Sequence, residues 1–188
     1  MKKILAKLIV VGFVLLLAGG GFLGAQRLSG NFHTVVSGQL YRSAQVTPER
    51  LAAYKQKYGI KSVINLRGSQ EGASWYDNEV SSSEKLGIEH FDFRMSASHR
   101  LSKARATELI QLMENAPKPL LIHCKAGADR SGLVSALYKA AIAKYGEESA
   151  EDEISILFGH FGIPYLSSTY AMDETWEDFE PWLGFGES

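Results

Sequence analysis

One ten-residue segment near the middle of the chain restricts the possible folds more than any other feature. Residues 123–132 read HCKAGADRSG, after the apolar run 120–123 and before the apolar stretch 133–145. The run predicts a buried strand and the stretch predicts a helix, so the loop between them is short. Backbone N–H groups of residues 125–130 can converge on one point there, and the positive end of the helix dipole is directed at the same point. The segment therefore predicts a binding site for an anion.

Two side chains of this segment, Cys124 and Arg130, indicate phosphate chemistry. Arg130 offers a planar fork for two phosphate oxygens, which lysine cannot reproduce. The positive surroundings favour the thiolate form of Cys124, and a thiolate beneath a bound phosphate is placed for in-line attack. Gly127 supplies the backbone freedom that a sharp turn or a close approach to the ligand requires. A cysteine with apolar neighbours is usually only a small buried side chain, but the spacing to Arg130 favours a nucleophile.

The segment resembles the H-C-x5-R-[S/T] signature of the protein tyrosine phosphatase superfamily. Together with LYRSAQ, KSVINLRG and PLLIHC in that order, it makes residues 33–182 similar to bacterial dual-specificity-type phosphatases. The resemblance implies a phosphocysteine intermediate hydrolysed by water, with Cys124 as nucleophile and Arg130 as phosphate clamp. It also implies that Ser131 helps to release the thiolate and that His123 orients or acidifies Cys124. The implied substrate-binding loop consists of Lys125, Ala126, Gly127, Ala128, Asp129 and Arg130.

The proton donor is the point at which the chain departs from that pattern. Dual-specificity-type enzymes usually place an Asp in the loop before the preceding helix, but residues 94–100 read RMSASHR and contain no carboxylate. Some phosphoinositide-type members of the superfamily carry an Asp at the position of Asp129, which makes it the favoured candidate. Asp92 lies 32 residues before Cys124 and is the second candidate. His99 is the third, if its side chain points into the cleft.

Strands and helices alternate along the rest of the chain. The pattern predicts helices at 48–58, 75–86 and 102–115, and strands at 61–66, 88–93 and 120–123. We therefore expect an α/β domain with a central, largely parallel sheet flanked by helices, as in dual-specificity phosphatases. Ligands of such sheets bind at the carboxyl ends of strands, where His123 and Cys124 fall. The phosphatase domain is expected over 41–188, after a polar linker at 27–40.

The first 26 residues predict a membrane anchor. Lys2, Lys3 and Lys7 precede the uncharged run 8–26, and these nineteen residues just span a hydrocarbon core of about 30 Å. A cleaved signal peptide is the alternative. The basic N-terminus places the remainder outside the cytoplasm. We therefore expect an inner-membrane protein facing the periplasm or exterior, or a secreted or periplasmic form after cleavage.

Composition and charge restrict the partners. The net charge is −1, from 20 basic and 21 acidic residues, so no general attraction to nucleic acid is expected. A single cysteine excludes an intrachain disulfide and a thiolate-rich zinc site, and the histidines lack metal-ligand spacing. Neither a metal nor a cofactor is expected. The expected partners are a phosphorylated protein or small phosphate ester, and the membrane through the N-terminal helix.

Several other functions remain open at this stage. Lys125 adds a positive charge beside the site, which suits phosphoinositides or inositol phosphates as well as an acidic phosphopeptide. An inactive phosphate-binding module is an alternative from another class, although Cys124 and Arg130 are both intact. A sulfurtransferase need not keep this spacing between Cys and Arg. An arsenate reductase would normally need further cysteines.

Overall fold

Five short strands form one mixed sheet, in the order β1-β2-β5-β3-β4. The computed structural model describes residues 7, 12–13, 19–21, 24 and 29–186. The strands are His33–Val36 (β1), Leu40–Ser43 (β2), Ser62–Asn65 (β3), Glu89–Asp92 (β4) and Leu120–His123 (β5). β2, β5, β3 and β4 run parallel to one another, whereas β1 pairs antiparallel with β2. The α/β fold expected from the sequence is present, and β1 makes the sheet mixed.

Helices connect the strands and cover both faces of the sheet. They are Pro48–Tyr58 (α1), Ser74–Leu86 (α2), Lys103–Asn115 (α3), Asp129–Leu137 (α4), Glu147–Glu151 (α5) and Ala171–Leu183 (α6). Shorter helical turns lie at Tyr138–Ile142, Ile156–Phe158 and Ser168–Tyr170. Thr47 and Ser102 cap α1 and α3, because each side-chain oxygen accepts a backbone N–H three residues later, at 3.3 Å in both cases.

The two faces of the sheet have separate apolar cores. Leu120 and Ile122 of β5 pack on the side covered by α3, α4 and α6, where Trp176 is the largest fully buried side chain. Leu121, the residue between them, packs on the opposite side with Leu51 of α1. This alternation follows from the two-residue period of a strand. Each such buried side chain stabilises the fold by about 1.5–3 kcal/mol.

The strand register brings four chain segments to one edge of the sheet. His123, the last residue of β5, lies beside Ser43 of β2 and Asn65 of β3, and Asn65 lies beside Asp92 of β4. Each of these residues ends a parallel strand. The loop that begins at Cys124 therefore opens at the carboxyl edge of the sheet, as the sequence predicted.

Two boundaries drawn from the sequence are corrected. The stretch 27–40, predicted as a linker, contains β1, whose Val35 and Val36 are buried. Its β-branched residues pair with β2 and pack on the core, which the polar residues around them concealed. The helix predicted at 133–145 begins at Asp129 and gives way to a π-helical turn after Leu137.

The prediction of an N-terminal transmembrane helix is also corrected. No helix in the described part of the chain is long and apolar enough to cross a membrane. Most of residues 1–26, on which that prediction fell, lie outside the described residues.

Candidate active site

Cys124 lies at the base of the loop between β5 and α4, with only 1% of its surface exposed. Its Sγ accepts a hydrogen bond from the backbone N–H of Gly127 at 3.2 Å. The hydroxyl of Ser131, in the first turn of α4, lies 3.6 Å from the same sulfur. The predicted nucleophile and its predicted helper are therefore adjacent, and two donors face the sulfur.

Gly127 is required where the loop passes β2. Its φ is +73°, a left-handed conformation that L side chains rarely adopt. A Cβ added there would lie 2.5 Å from the backbone nitrogen of Ala44 and 2.6 Å from the carbonyl carbon of Ser43. Only glycine allows the loop to approach this backbone so closely.

A fully buried arginine holds the outer side of the loop. Nη2 of Arg42 donates to the carbonyl oxygens of Gly127 at 3.1 Å and Ala128 at 2.8 Å, while Nη1 donates to the Glu153 carboxylate at 3.0 Å. Burial lowers the pKa of Arg42, and the Glu153 carboxylate opposes this effect. A carbonyl and the N–H that follows it point in opposite directions across a peptide plane. Holding these carbonyls on the outside therefore turns the following N–H groups, those of Ala128 and Asp129, to the inner side of the loop.

Asn31 gives the loop a second external support. Its Nδ2 donates to the carbonyl oxygens of Ala126 at 3.0 Å and Gly127 at 3.1 Å. Nε2 of His33 lies 2.7 Å from the Asn31 Oδ1, which fixes the orientation of the amide. The loop geometry is thus set before any ligand arrives.

Arg130 is held at the mouth of the loop by weak contacts. Its Nη1 donates to the carbonyl oxygens of Leu66 and Met95, each at 3.4 Å, and no described residue accepts from its buried Nε. The guanidinium therefore keeps donors for an oxyanion, which the predicted clamp requires. Among the other loop residues, Lys125 and Ala126 are exposed, whereas Gly127 and Ala128 are buried.

A second cation, Arg67, lies near this mouth. Its Nη1 donates to Oε1 of Gln45 at 2.6 Å, and its guanidinium stacks on the Trp75 ring at 3.4 Å from the centroid. Burial and the positive charge of Arg130 lower the pKa of Arg67. These contacts hold Arg67 in place without a carboxylate partner among the described residues.

His123 is tied to a buried carboxylate that the sequence did not indicate. Its Nε2 lies 2.7 Å from Oε1 of Glu79, and Nε2 of His90 lies 2.9 Å from the same oxygen. Gln45 donates to the other oxygen. Burial raises the pKa of Glu79, but the charges and hydrogen bonds of His123 and His90 outweigh it and bring the pKa to about 2. His123 is therefore oriented from α2, directly before the loop.

Asp92, the second proton-donor candidate, has both oxygens occupied. Oδ1 accepts from the Asn65 amide at 2.9 Å, and Oδ2 accepts from the Tyr76 hydroxyl at 2.5 Å. Burial and the hydrogen bond to Asp92 raise the pKa of Tyr76 to about 12, so the hydroxyl keeps its proton. Asp92 is thus placed to fix the end of β4. His99 is exposed and lies 3.0 Å from the Ser96 hydroxyl.

Asp129 is the first residue of α4 and is paired with a histidine. Its Oδ1 lies 2.8 Å from Nδ1 of His160, and Nε2 of His160 lies 2.9 Å from Oδ2 of Asp173. Burial lowers the pKa of His160, but hydrogen bonds and charge from the two carboxylates outweigh it and raise the pKa to about 9. The sequence showed only that the histidines lack metal-ligand spacing, and no spacing links His160 to Asp129.

The buried thiol, the inward N–H groups and Arg130 at the carboxyl edge of an α/β sheet define a cysteine-dependent phosphatase. A profile of the tyrosine phosphatase family matches residues 23–152, and the chain belongs to this family. No curated protein matches the chain significantly by sequence. In the part of the chain that the structure describes, no group of three or more His, Cys, Asp or Glu side chains could hold a metal ion.

Solved structures share this fold. TpbA from P. aeruginosa is 20% identical with a TM-score of 0.63, covering 80% of this chain and 85% of that one. A TpbA variant in complex with pTyr is 19% identical with a TM-score of 0.62, covering 84% of this chain and 93% of that one. A third structure is the core catalytic domain of the PP-IP phosphatase Siw14 from S. cerevisiae in complex with citrate. It is 22% identical with a TM-score of 0.61, covering 81% of this chain and 88% of that one.

Proposed function

We propose that the chain hydrolyses phosphomonoesters through a phosphocysteine formed on Cys124. The single observation that carries this proposal is the position of its sulfur, which receives the Gly127 N–H at 3.2 Å and faces the Ser131 hydroxyl at 3.6 Å. Both donors stabilise a thiolate, and the dipole of α4 adds positive potential. Arg42, whose charge is matched by Glu153, holds the loop from behind.

The proposed reaction has two steps. In the first, the phosphate lies on the loop N–H groups and Arg130, Sγ attacks phosphorus, and the ester P–O bond breaks as its oxygen takes a proton. In the second, water attacks phosphorus, the S–P bond breaks, and the Ser131 hydroxyl stabilises the departing thiolate. Asp129 is the proposed proton donor, because it belongs to the loop itself and both Asp92 oxygens already accept hydrogen bonds.

Phosphotyrosine in proteins is the proposed substrate class. The family membership and the likeness in fold to TpbA, which binds pTyr, support it. A second candidate is an inositol phosphate or phosphoinositide. Arg67, whose pKa Arg130 lowers, and the exposed Lys125 of the loop favour it, since further cations around a phosphate clamp suit a substrate with more than one phosphate. The likeness in fold to the PP-IP phosphatase Siw14 is consistent with this candidate.

A phosphate-release panel on the full-length chain tests these proposals. It compares phosphotyrosine peptides, phosphoserine peptides, inositol phosphates and phosphoinositides, with the Cys124→Ser variant as the blank. Preference for phosphotyrosine peptides supports the first candidate. Preference for inositol phosphates, lost selectively in Arg67→Gln, supports the second. An inactive phosphate-binding module would bind vanadate and release phosphate from none of them.

A further inference from the structure

His160 joins the phosphate-binding loop to the last helix of the domain. It is 3% exposed, and its two ring nitrogens lie 2.8 Å from Asp129 of α4 and 2.9 Å from Asp173 of α6. Its backbone N–H donates to the carbonyl of Ser155 at 3.1 Å, which holds the main chain that carries the ring. Burial and these two contacts hold the ring between the two carboxylates.

The Asp173 side chain is 25% exposed, but its Oδ2 lies against the backbone at Gly162. A Cβ added at Gly162 would lie 2.1 Å from the Asp173 Oδ2, the oxygen that faces His160. The backbone at Gly162 thus passes directly over this carboxylate.

The geometry also fixes the number of protons in the cluster. A ring nitrogen and a carboxylate oxygen at 2.8 or 2.9 Å form a hydrogen bond only with a proton between them. Two such contacts require two protons among His160, Asp129 and Asp173, one more than a neutral imidazole between two carboxylates supplies. The cluster therefore holds an additional proton in contact with Asp129.

We propose that His160 and Asp173 are positioning residues that keep this proton available to Asp129 for the leaving group. The inference rests on the proposed function. When the ester oxygen leaves phosphorus it takes, through Asp129, the proton shared by Asp129 and Nδ1 of His160, and the cluster keeps the proton between His160 and Asp173. In the second step a proton of the attacking water returns to Asp129 and restores the cluster.

The charges around the cluster agree with this role. Asp129 and Asp173 raise the pKa of His160 above the histidine range, to about 9, against the effect of burial. Arg42 of β2 acts on Asp129 from behind the loop. Glu151 of α5 and Tyr170 carry groups whose own pKa values are raised in part by Asp173. The proton is thus retained well above neutral pH and lost on the alkaline side.

The test is the pH–rate profile of full-length Asp173→Asn. Asparagine keeps the shape and its oxygen still accepts from His160, but one negative charge is gone. We expect the basic limb of the pH–rate profile for phosphotyrosine to move to lower pH by about 1 unit. Asp178→Asn is the matched control, because it removes the same charge from an exposed site of the same helix. The basic limb of the Asp178→Asn profile should stay in place.

A second variant, His160→Gln, removes the stored proton. Phosphotyrosine turnover should fall about 10²-fold, while p-nitrophenyl phosphate, whose leaving group hardly needs a proton, should change little. An unmoved limb in Asp173→Asn would overturn the inference, as would equal losses on both substrates in a folded His160→Gln. Should that variant fail to fold, the Asp173→Asn profile decides alone. Failure of the wild-type chain to turn over p-nitrophenyl phosphate would instead overturn the proposed function.

Discussion

The Arg42 guanidinium donates to the carbonyl oxygen of Ala128 at 2.8 Å, and this contact joins β2 to the phosphate-binding loop. Arg42 is fully buried and its charge is matched by Glu153. The arginine therefore acts on the loop from outside, where it cannot touch a substrate. It controls the direction of the loop N–H groups by holding their carbonyls.

Replacing this arginine tests that control. Arg42→Lys keeps the charge, but one ammonium cannot serve both Glu153 and the loop carbonyls. We expect the free energy of unfolding to fall by about 3 kcal/mol, measured by urea denaturation, and vanadate affinity to fall with it. Arg100→Lys is the control, since that arginine is half exposed and its ion pairs, screened by solvent, contribute little to stability. A loss no larger than the control's would contradict the role of Arg42.

The close approach of Gly127 to β2 gives a second prediction. Gly127→Ala should reduce vanadate affinity about 10- to 100-fold, because the added Cβ displaces the N–H that faces the ligand. Gly87→Ala is the matched control: its φ is also positive, at +61°, but nothing lies within 4 Å of the added carbon. Isothermal titration with vanadate compares the two. Equal vanadate affinities of the two variants would mean that the loop accommodates the added Cβ without displacing its N–H groups.

Glu79 predicts a dependence of stability on pH. Its pKa in the folded chain, about 2, lies below its ordinary 4.5, so its contribution is fully present above pH 4.5. That contribution is lost as pH falls from 4.5 towards 2. Urea unfolding across this range should therefore show a steeper decline for the wild type than for Glu79→Gln. Parallel curves would indicate that His123 and His90 do not hold the carboxylate ionised.

The assignment of the proton donor is tested by leaving groups. Asp129→Asn should slow phosphotyrosine turnover about 10²-fold or more and remove the basic limb of the pH–rate profile. Turnover of p-nitrophenyl phosphate should change little. Asp92→Asn should leave the basic limb in place, because both Asp92 oxygens accept hydrogen bonds that an asparagine can partly replace. The reverse pattern would assign the donor to Asp92.

The sequence indicated those parts of the site that are close together in the chain. Cys124, Arg130 and Ser131 fall within one strand, loop and helix, so their spacing alone restricts how they can meet. Likewise, the caps Thr47 and Ser102 are local signals, and both helices begin where they predict.

The residues that the sequence did not indicate reach the site from distant segments. Arg42, Glu79 and His160 come from β2, α2 and the turn after α5, and only the tertiary fold places them beside the loop. Arg42 carries the one usable signal, as a lone cation that follows Leu40 and Tyr41 in the strand LYRS. β1 was missed because its four residues stand in a polar stretch, and its pairing with β2 determines its structure.

The phosphocysteine is the central claim, and the chain's single cysteine makes its test unambiguous. Wild-type chain and Cys124→Ser are mixed with p-nitrophenyl phosphate, quenched during turnover, and examined by peptide mass spectrometry. We predict one phosphoryl group on the wild-type peptide that contains Cys124. The serine variant should show no turnover but should retain vanadate binding, because the loop N–H groups are unchanged. Turnover that persists in Cys124→Ser, or wild-type turnover without phosphoryl transfer to Cys124, would contradict the account.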